Sequence, residues 1–212
     1  MENPVIIFGA NHLGRQSKEI FEANGNVVYG FLDDNKKLHG SVIDNVTVLG
    51  STDDDGLLKF IGKKCEAFVS VDDNKLRKSI VSMLQEVRHA QPVNVIAKSS
   101  IIPNSVDIGH GNFIDQGIAF GAGATIGNHC LLHAGAIIGM EVKLGDFVQV
   151  GAGSIINAGV EVEDEVFIGS GVTIVGSVTI GRGARIGAGS VVIGSVKAGE
   201  TVFGNPAEKV KS

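Results

Sequence analysis

FGAGATIGNHCLLHAGAIIGMEVKLGDFVQVG, residues 120–151, returns to a large apolar residue at every sixth position: Phe120, Ile126, Leu132, Ile138, Leu144 and Val150. The same phase reaches back through Ile114, Ile108 and Ile102 and forward through Ile156, Val162, Ile168, Ile174, Ile180, Ile186 and Val192. Two places before many of these lies a second, smaller site, held by Val106, Ala124, Cys130, Ala136, Val142, Val148, Val160, Val166, Val172, Val178 and Ala184. Glycine often follows the large residue, as in Ile126-Gly127, Leu144-Gly145 and Ile168-Gly169. A helix repeats every 3.6 residues and an ordinary strand every two, so neither yields a strict period of six. A solenoid does, if each hexad makes a short strand and a turn and three hexads close one triangular coil.

The residue types suit such a coil. The large aliphatic points inward and stacks on its equivalents about 4.8 Å above and below, the spacing of neighbouring strands. The smaller residue fits the tight space beside a corner, and glycine accepts turn conformations that a Cβ opposes. Sixteen hexads without an insertion give a little over five coils. The expected fold of this half is an all-β left-handed parallel β-helix, an exception to the usual right-handed crossover.

Working outward, residues 1–98 read differently. Val5-Ile6-Ile7-Phe8 is a short apolar run fit for a buried parallel strand, ending in Gly9-Ala10-Asn11-His12-Leu13-Gly14. A helix is expected over 16–23 and a second strand over 27–32, which runs into Asp33-Asp34. Further strands are expected over 46–49, 67–71 and 93–96, with helical stretches over 54–61 and after Asp72-Asp73-Asn74. Strands alternating with helices make this an α/β, Rossmann-like domain. The boundary falls near 97–100, giving a domain at 1–98 and the β-helix with a C-terminal tail at 99–212.

Composition narrows the function classes. A hydrophobic fraction of 43% supports a real core, and a net charge of −5 gives no electrostatic reason to bind nucleic acid or an acidic membrane. No basic, apolar leader or long apolar run is present, so a cytoplasmic protein is expected. Cys65 and Cys130 fall in different domains and suggest no disulfide framework.

A glycine-rich turn between a strand and a helix can present backbone N–H groups to a phosphate. Only Gly9 and Gly14 remain of that pattern here, and they could equally serve a tight turn. Asp33 and Asp34 end a strand where α/β sheets bind ligands, and could contact a sugar or simply be solvated.

Together, Ile6-Ile7-Phe8-Gly9-Ala10, Gly30-Phe31-Leu32-Asp33-Asp34, Val48-Leu49-Gly50, Asp73-Asn74-Lys75-Leu76-Arg77, the hexads and Gly204-Asn205-Pro206-Ala207 resemble a known family. It comprises bacterial hexapeptide-repeat sugar acetyltransferases of the sialic acid O-acetyltransferase and UDP-4-amino-sugar N-acetyltransferase type. The resemblance implies a homotrimer that transfers an acetyl group from acetyl-CoA to a sugar, with Gly9, Asn11, His12, Gly14, Asp33 and Asp34 holding the nucleotide-linked sugar. It also implies that acetyl-CoA lies between adjacent β-helices, toward Gln149 and Ala158.

The departures from the family lie where its chemistry should be. Family members carry an Asn, then seven residues later a His followed by an acidic residue, then a second His nine residues after the first. Those positions are His133, Met140, Glu141 and Gln149 here, so the usual base is a methionine, which takes no proton. His133 is the candidate replacement base or polariser and Glu141 its electrostatic partner. Two other classes remain open. One is a degenerate trimer that holds a nucleotide sugar or CoA without turnover. The other is a metal-dependent hydratase on the same helix, for which His110, His129 and His133 would be the ligands, though their spacing is loose. The leading expectation is an acyltransferase with no metal.

Overall fold

The computed structural model describes residues 3–210, and the chain divides into two compact units, Met1–Lys98 and Ser99–Ser212. In the first unit, β1 (Val5–Phe8), β2 (Val28–Leu32), β3 (Val42–Ile43), β4 (Val46–Gly50) and β5 (Glu66–Val69) form one sheet in the order β3-β4-β2-β1-β5. All pairs are parallel except the β3–β4 hairpin. Its turn residues Asp44 and Asn45 both have positive φ, the conformation a tight two-residue hairpin demands. Val5, Ile6, Ile7 and Phe8 are all buried, as a strand covered on both faces requires.

Helix α1 (His12–Ala23) begins four residues earlier than the sequence pattern indicates, because Asn11 caps it: its side chain accepts a hydrogen bond from Gly14 N–H. Helix α2 is a single turn, Asp55–Leu58, shorter than expected, and α3 spans Asn74–Arg88 behind the cap Asp73. The strand expected over 93–96 is reduced to Val95–Ile96. The parallel strands run β4-β2-β1-β5, so the chain leaves β1 toward one side of the sheet and later returns on the other. The loops after β1 and β5 flank that switch point, the place where open α/β sheets bind ligands.

The second unit is the left-handed β-helix. Fifteen two-residue strands, from Asp107–Ile108 to Val191–Val192, each end on one of the large apolar residues of the hexads. Each of the first twelve pairs in parallel with the strand 18 residues on, for example Leu131–Leu132 with Gln149–Val150, so three hexads make one coil. Three faces result, beginning at Asp107–Ile108, Phe113–Ile114 and Ala119–Phe120, here called faces 1, 2 and 3. Ile114, Leu132, Ile138, Val150, Ile156, Ile168, Ile174 and Ile186 have no exposed surface.

The smaller site tolerates polar residues when they bond across coils. Asn112 donates to Gly127 O and accepts from Cys130 N–H, and Ser154 donates to Gly169 O. One corner carries a ladder: Asn128 bonds His110 N–H, Asp146 bonds Asn128 N–H, and Asp164 bonds Asp146 N–H. After the last coil, Thr201–Gly204 and Ala207–Lys209 form an antiparallel hairpin that continues face 2.

Candidate functional site

The turn at residues 9–14 is held by its own Asn11 and by side chains that follow two strands, Asp33 after β2 and Ser70 after β5. Gly9 has φ +105°, and a Cβ there would lie 2.8 Å from Ser70 O. A Cβ on Gly14 would lie 2.0 Å from Gly9 O, so helix α1 reaches the strand end only because residue 14 has no side chain. Asn11 is used twice, its Oδ1 accepting from Gly14 N–H at 2.9 Å and its Nδ2 donating to Ser70 O at 3.1 Å. The cap therefore occupies one of the N–H groups that a phosphate at this helix end could use.

The two aspartates divide their work. Asp33 is half-buried, and its oxygens accept from Ala10 N–H at 2.8 Å and Asn35 N–H at 2.8 Å. It pins the first turn to the end of β2. Asp34 is exposed and accepts from both N–H and Oγ1 of Thr52 through a single oxygen, Oδ1. His12, the first residue of α1, is exposed at the same sheet edge. Of the six residues expected around a sugar nucleotide, then, Gly9, Asn11, Gly14 and Asp33 shape the turn, while His12 and Asp34 face outward.

Two residues at this edge were not singled out by the sequence. Ser70, at the end of β5, is fully buried and bonds the turn. Arg77 is also fully buried and donates to Val71 O, Asp72 O and Asn74 Oδ1, closing the loop after β5. A small polar residue inside an otherwise apolar predicted strand, 67–71, is the one signal that could have drawn attention to Ser70.

On the β-helix, the candidates separate into two groups on either side of face 3. His133 stands half-buried at the corner between faces 2 and 3, its ring 5.7 Å from that of Phe113. Gln149 is on face 2, one coil on, paired with Leu131. Met140 and Glu141 form the turn at the other end of face 3, and Glu141 has φ 55°. Ala158 stacks at the same corner as Met140, 18 residues on. Its N–H lies where a Cβ on Gly139 would approach to 2.7 Å. Within one chain, His133 and Glu141 bracket the strand Ile137–Ile138 rather than meeting.

Between the groups runs a shallow groove of about 380 Å³ lined by Ile137, Met140, Ile155 and Ala158, among others. Its wall is apolar and accessible, with Ile137 45% and Met140 59% exposed. Face 1 is polar by contrast, with Lys143 and Glu161 ion-paired at 2.7 Å. The Glu161 carboxylate, and more weakly Glu141, hold the Lys143 ammonium above its ordinary value. Among the described residues no group of histidine, cysteine and carboxylate side chains has the arrangement to hold a metal ion. No helix among them is long and apolar enough to cross a membrane.

Comparison with known proteins matches residues 4–84 to the PglD N-terminal domain. Residues 123–158 match the hexapeptide repeat of succinyl-transferase, and 141–176 and 159–194 match the bacterial transferase hexapeptide. No curated protein sequence matches the chain. Among solved structures, a mutant of GDP-perosamine N-acetyltransferase from Caulobacter crescentus, in complex with CoA and GDP-perosamine, is 27% identical. The alignment covers 100% of this chain and 99% of that one, with a TM-score of 0.89. The acetyltransferase domain of PglB from Neisseria gonorrhoeae FA1090, in complex with acetyl coenzyme A, shares the fold at 23% identity and TM-score 0.88, covering 99% and 100%. WeeI from Acinetobacter baumannii AYE does so at 24% and 0.87, covering 98% and 99%. The chain thus joins a PglD N-terminal domain to bacterial transferase hexapeptide repeats, the two-part architecture of the hexapeptide-repeat sugar acetyltransferases it resembles.

Proposed function

We propose that this protein is an acetyl-CoA-dependent acetyltransferase acting on an amino or hydroxyl group of a nucleotide-linked sugar in the cytoplasm. The observation that carries the reading is the likeness, across both units and in the same order, to an enzyme whose structure holds CoA and GDP-perosamine. In this reading the turn at residues 9–14 receives the nucleotide, with His12 and Asp34 the side chains free to touch it and Gly9, Asn11, Gly14 and Asp33 fixing its backbone.

In the reaction, the acceptor nitrogen or oxygen attacks the thioester carbonyl carbon. The new bond forms, the C–S bond breaks, the acceptor's proton passes to a base, and the CoA sulfur leaves as the thiolate and takes that proton to become the thiol. Met140 stands where the family keeps that base, so His133 takes the role, as base or polariser. The Ala158 N–H steadies the thioester oxygen, and Gln149 contacts the cosubstrate beside it. Because His133 and Glu141 stand at opposite corners of face 3, Glu141 supports the imidazole only if face 3 of one copy meets a corner of the next. A homotrimer supplies that contact, and the apolar groove on face 3 is a surface suited to it.

The test is CoA release, followed with a thiol-reactive dye, using acetyl-CoA and a panel of nucleotide-linked aminosugars. Turnover with one of them is expected. Absence of acetyl-CoA binding would rule out the acyltransferase. Light scattering tests the trimer, since a stable monomer removes any site between copies. Met140 favours one second reading, a trimer that binds CoA or the nucleotide sugar without catalysis. That reading requires thermal stabilisation by acetyl-CoA with no CoA released.

A further inference from the structure

We propose that Ser70 is a positioning residue that fixes the turn at residues 9–14 and thereby the grip on the sugar nucleotide, the turn being read, as above, as the nucleotide-sugar site. Ser70 has no exposed surface, so it cannot touch a ligand and acts only through its neighbours. It ends the run of β5 directly beside the end of β1, across the switch point of the sheet.

All its polar atoms are engaged with the first turn. Ser70 N–H donates to Phe8 O at 2.8 Å, as the last rung of the β1–β5 ladder. Its Oγ lies 2.8 Å from Phe8 O and 2.9 Å from Gly9 O, and the single hydroxyl proton is shared between them. Its carbonyl accepts from Asn11 Nδ2 at 3.1 Å. The fit is steric as well, because a Cβ on Gly9 would lie 2.8 Å from Ser70 O and one on Gly14 3.0 Å from Ser70 Oγ.

On the opposite side, Asp33 Oδ2 holds Ala10 N–H at 2.8 Å. The peptide between Gly9 and Ala10 is thus gripped at its carbonyl by β5 and at its N–H by β2. Both grips orient the N–H groups that follow, those of His12 and Leu13 at the start of α1, toward whatever binds there. Loss of the hydroxyl leaves the Gly9 carbonyl without that donor in a site closed to water. The turn then gains freedom that ligand binding must remove.

The experiment compares Ser70→Ala with the wild type by steady-state kinetics and by backbone hydrogen exchange. The KM for the nucleotide sugar is expected to rise about five- to tenfold, the size of one lost hydrogen bond, while kcat and the KM for acetyl-CoA stay within about twofold. Amide exchange is expected to speed up over residues 10–14 and not in the β-helix. Ser70→Cys, which keeps a weaker donor, is expected to give a smaller rise in KM, and it carries the test if Ser70→Ala does not fold. Unchanged sugar KM together with unchanged exchange would overturn the proposal, as would an equal rise in both KM values. If the wild type turns over no nucleotide sugar, the functional reading fails instead, and the exchange comparison still decides the clamp.

Discussion

In the β-helix the strand pairing and the corner ladder repeat at a separation of 18 residues, whereas at the edge of the N-terminal sheet each partner lies at its own distance. Asn128 bonds Asp146 and Asp146 bonds Asp164 at that one separation. The turn at residues 9–14 is held instead by bonds spanning 23, 59 and 61 residues. Repetition spreads each role over several equivalent residues, so one loss in the coil leaves the rungs above and below. The sheet edge has no such spares. Ser70, Asn11 and Asp33 each hold a contact that nothing else duplicates.

Glycine substitutions give the sharpest test of that difference. At Gly14 a Cβ would meet the Gly9 backbone oxygen at 2.0 Å and Ser70 Oγ at 3.0 Å, so Gly14→Ala is expected to destabilise the first unit by about 3 kcal/mol or more. At Gly135 a Cβ meets nothing within 4 Å, and the cost is only that of alanine at φ +70°, about 1–2 kcal/mol. Denaturant unfolding of the two variants measures both. Equal losses would mean that the turn at 9–14 is no tighter than a corner of the coil.

Next in size is His133→Ala, expected to lower kcat by roughly a hundredfold if His133 is the base, with little change in stability because the residue lies outside the inward stack. Full turnover would remove His133 from the chemistry while leaving the enzyme class standing. Asp33→Ala follows. It leaves Ala10 N–H and Asn35 N–H without their acceptor and is expected to cost about 2 kcal/mol. Asp146→Ala, with ladder partners on either side, should cost visibly less by the same denaturant unfolding.

These contrasts also explain what could be read in advance. The hexads were legible because the inward position is filled by the same kind of residue every time, and the strands end where the period puts them. The order of strands and helices in the first unit was legible for a similar reason, as apolar runs alternate with helical spacing. The four missing residues of α1 were hidden because their start depends on a cap at Asn11, and the β3–β4 hairpin because Val42-Ile43 is only two residues long. Ser70 and Arg77 were invisible as functional candidates: their importance lies in partners that only the folded sheet brings near. The four β-helix candidates, His133, Glu141, Gln149 and Ala158, follow from the family resemblance, and the period places His133 and Glu141 one face apart. The strand Ile137–Ile138 fills that interval, so the two side chains lie at opposite ends of a face.

The smallest effect expected concerns two lysines whose ammonium groups shift in the same direction in different surroundings. Burial of Lys18 disfavours its charge, but hydrogen bonds to Glu22 and Glu19, at 2.9 Å and 3.1 Å, outweigh it and hold the ammonium above its ordinary 10.5. A folded-state value above the unfolded one stabilises the protein fully at any pH below about 10.5, and that stabilisation is lost as the pH rises through the folded value. Lys143 is raised by Glu161 in the same sense, but this pair is exposed, so salt screens it. Glu22→Gln is therefore expected to weaken the first unit by about 0.5 kcal/mol at neutral pH, with the difference from wild type shrinking above the lysine range. Glu161→Gln should leave the coil unchanged at high salt. Alkaline unfolding at low and high salt separates the two, and a salt-independent loss at Glu161 would show that the coil, too, depends on single contacts.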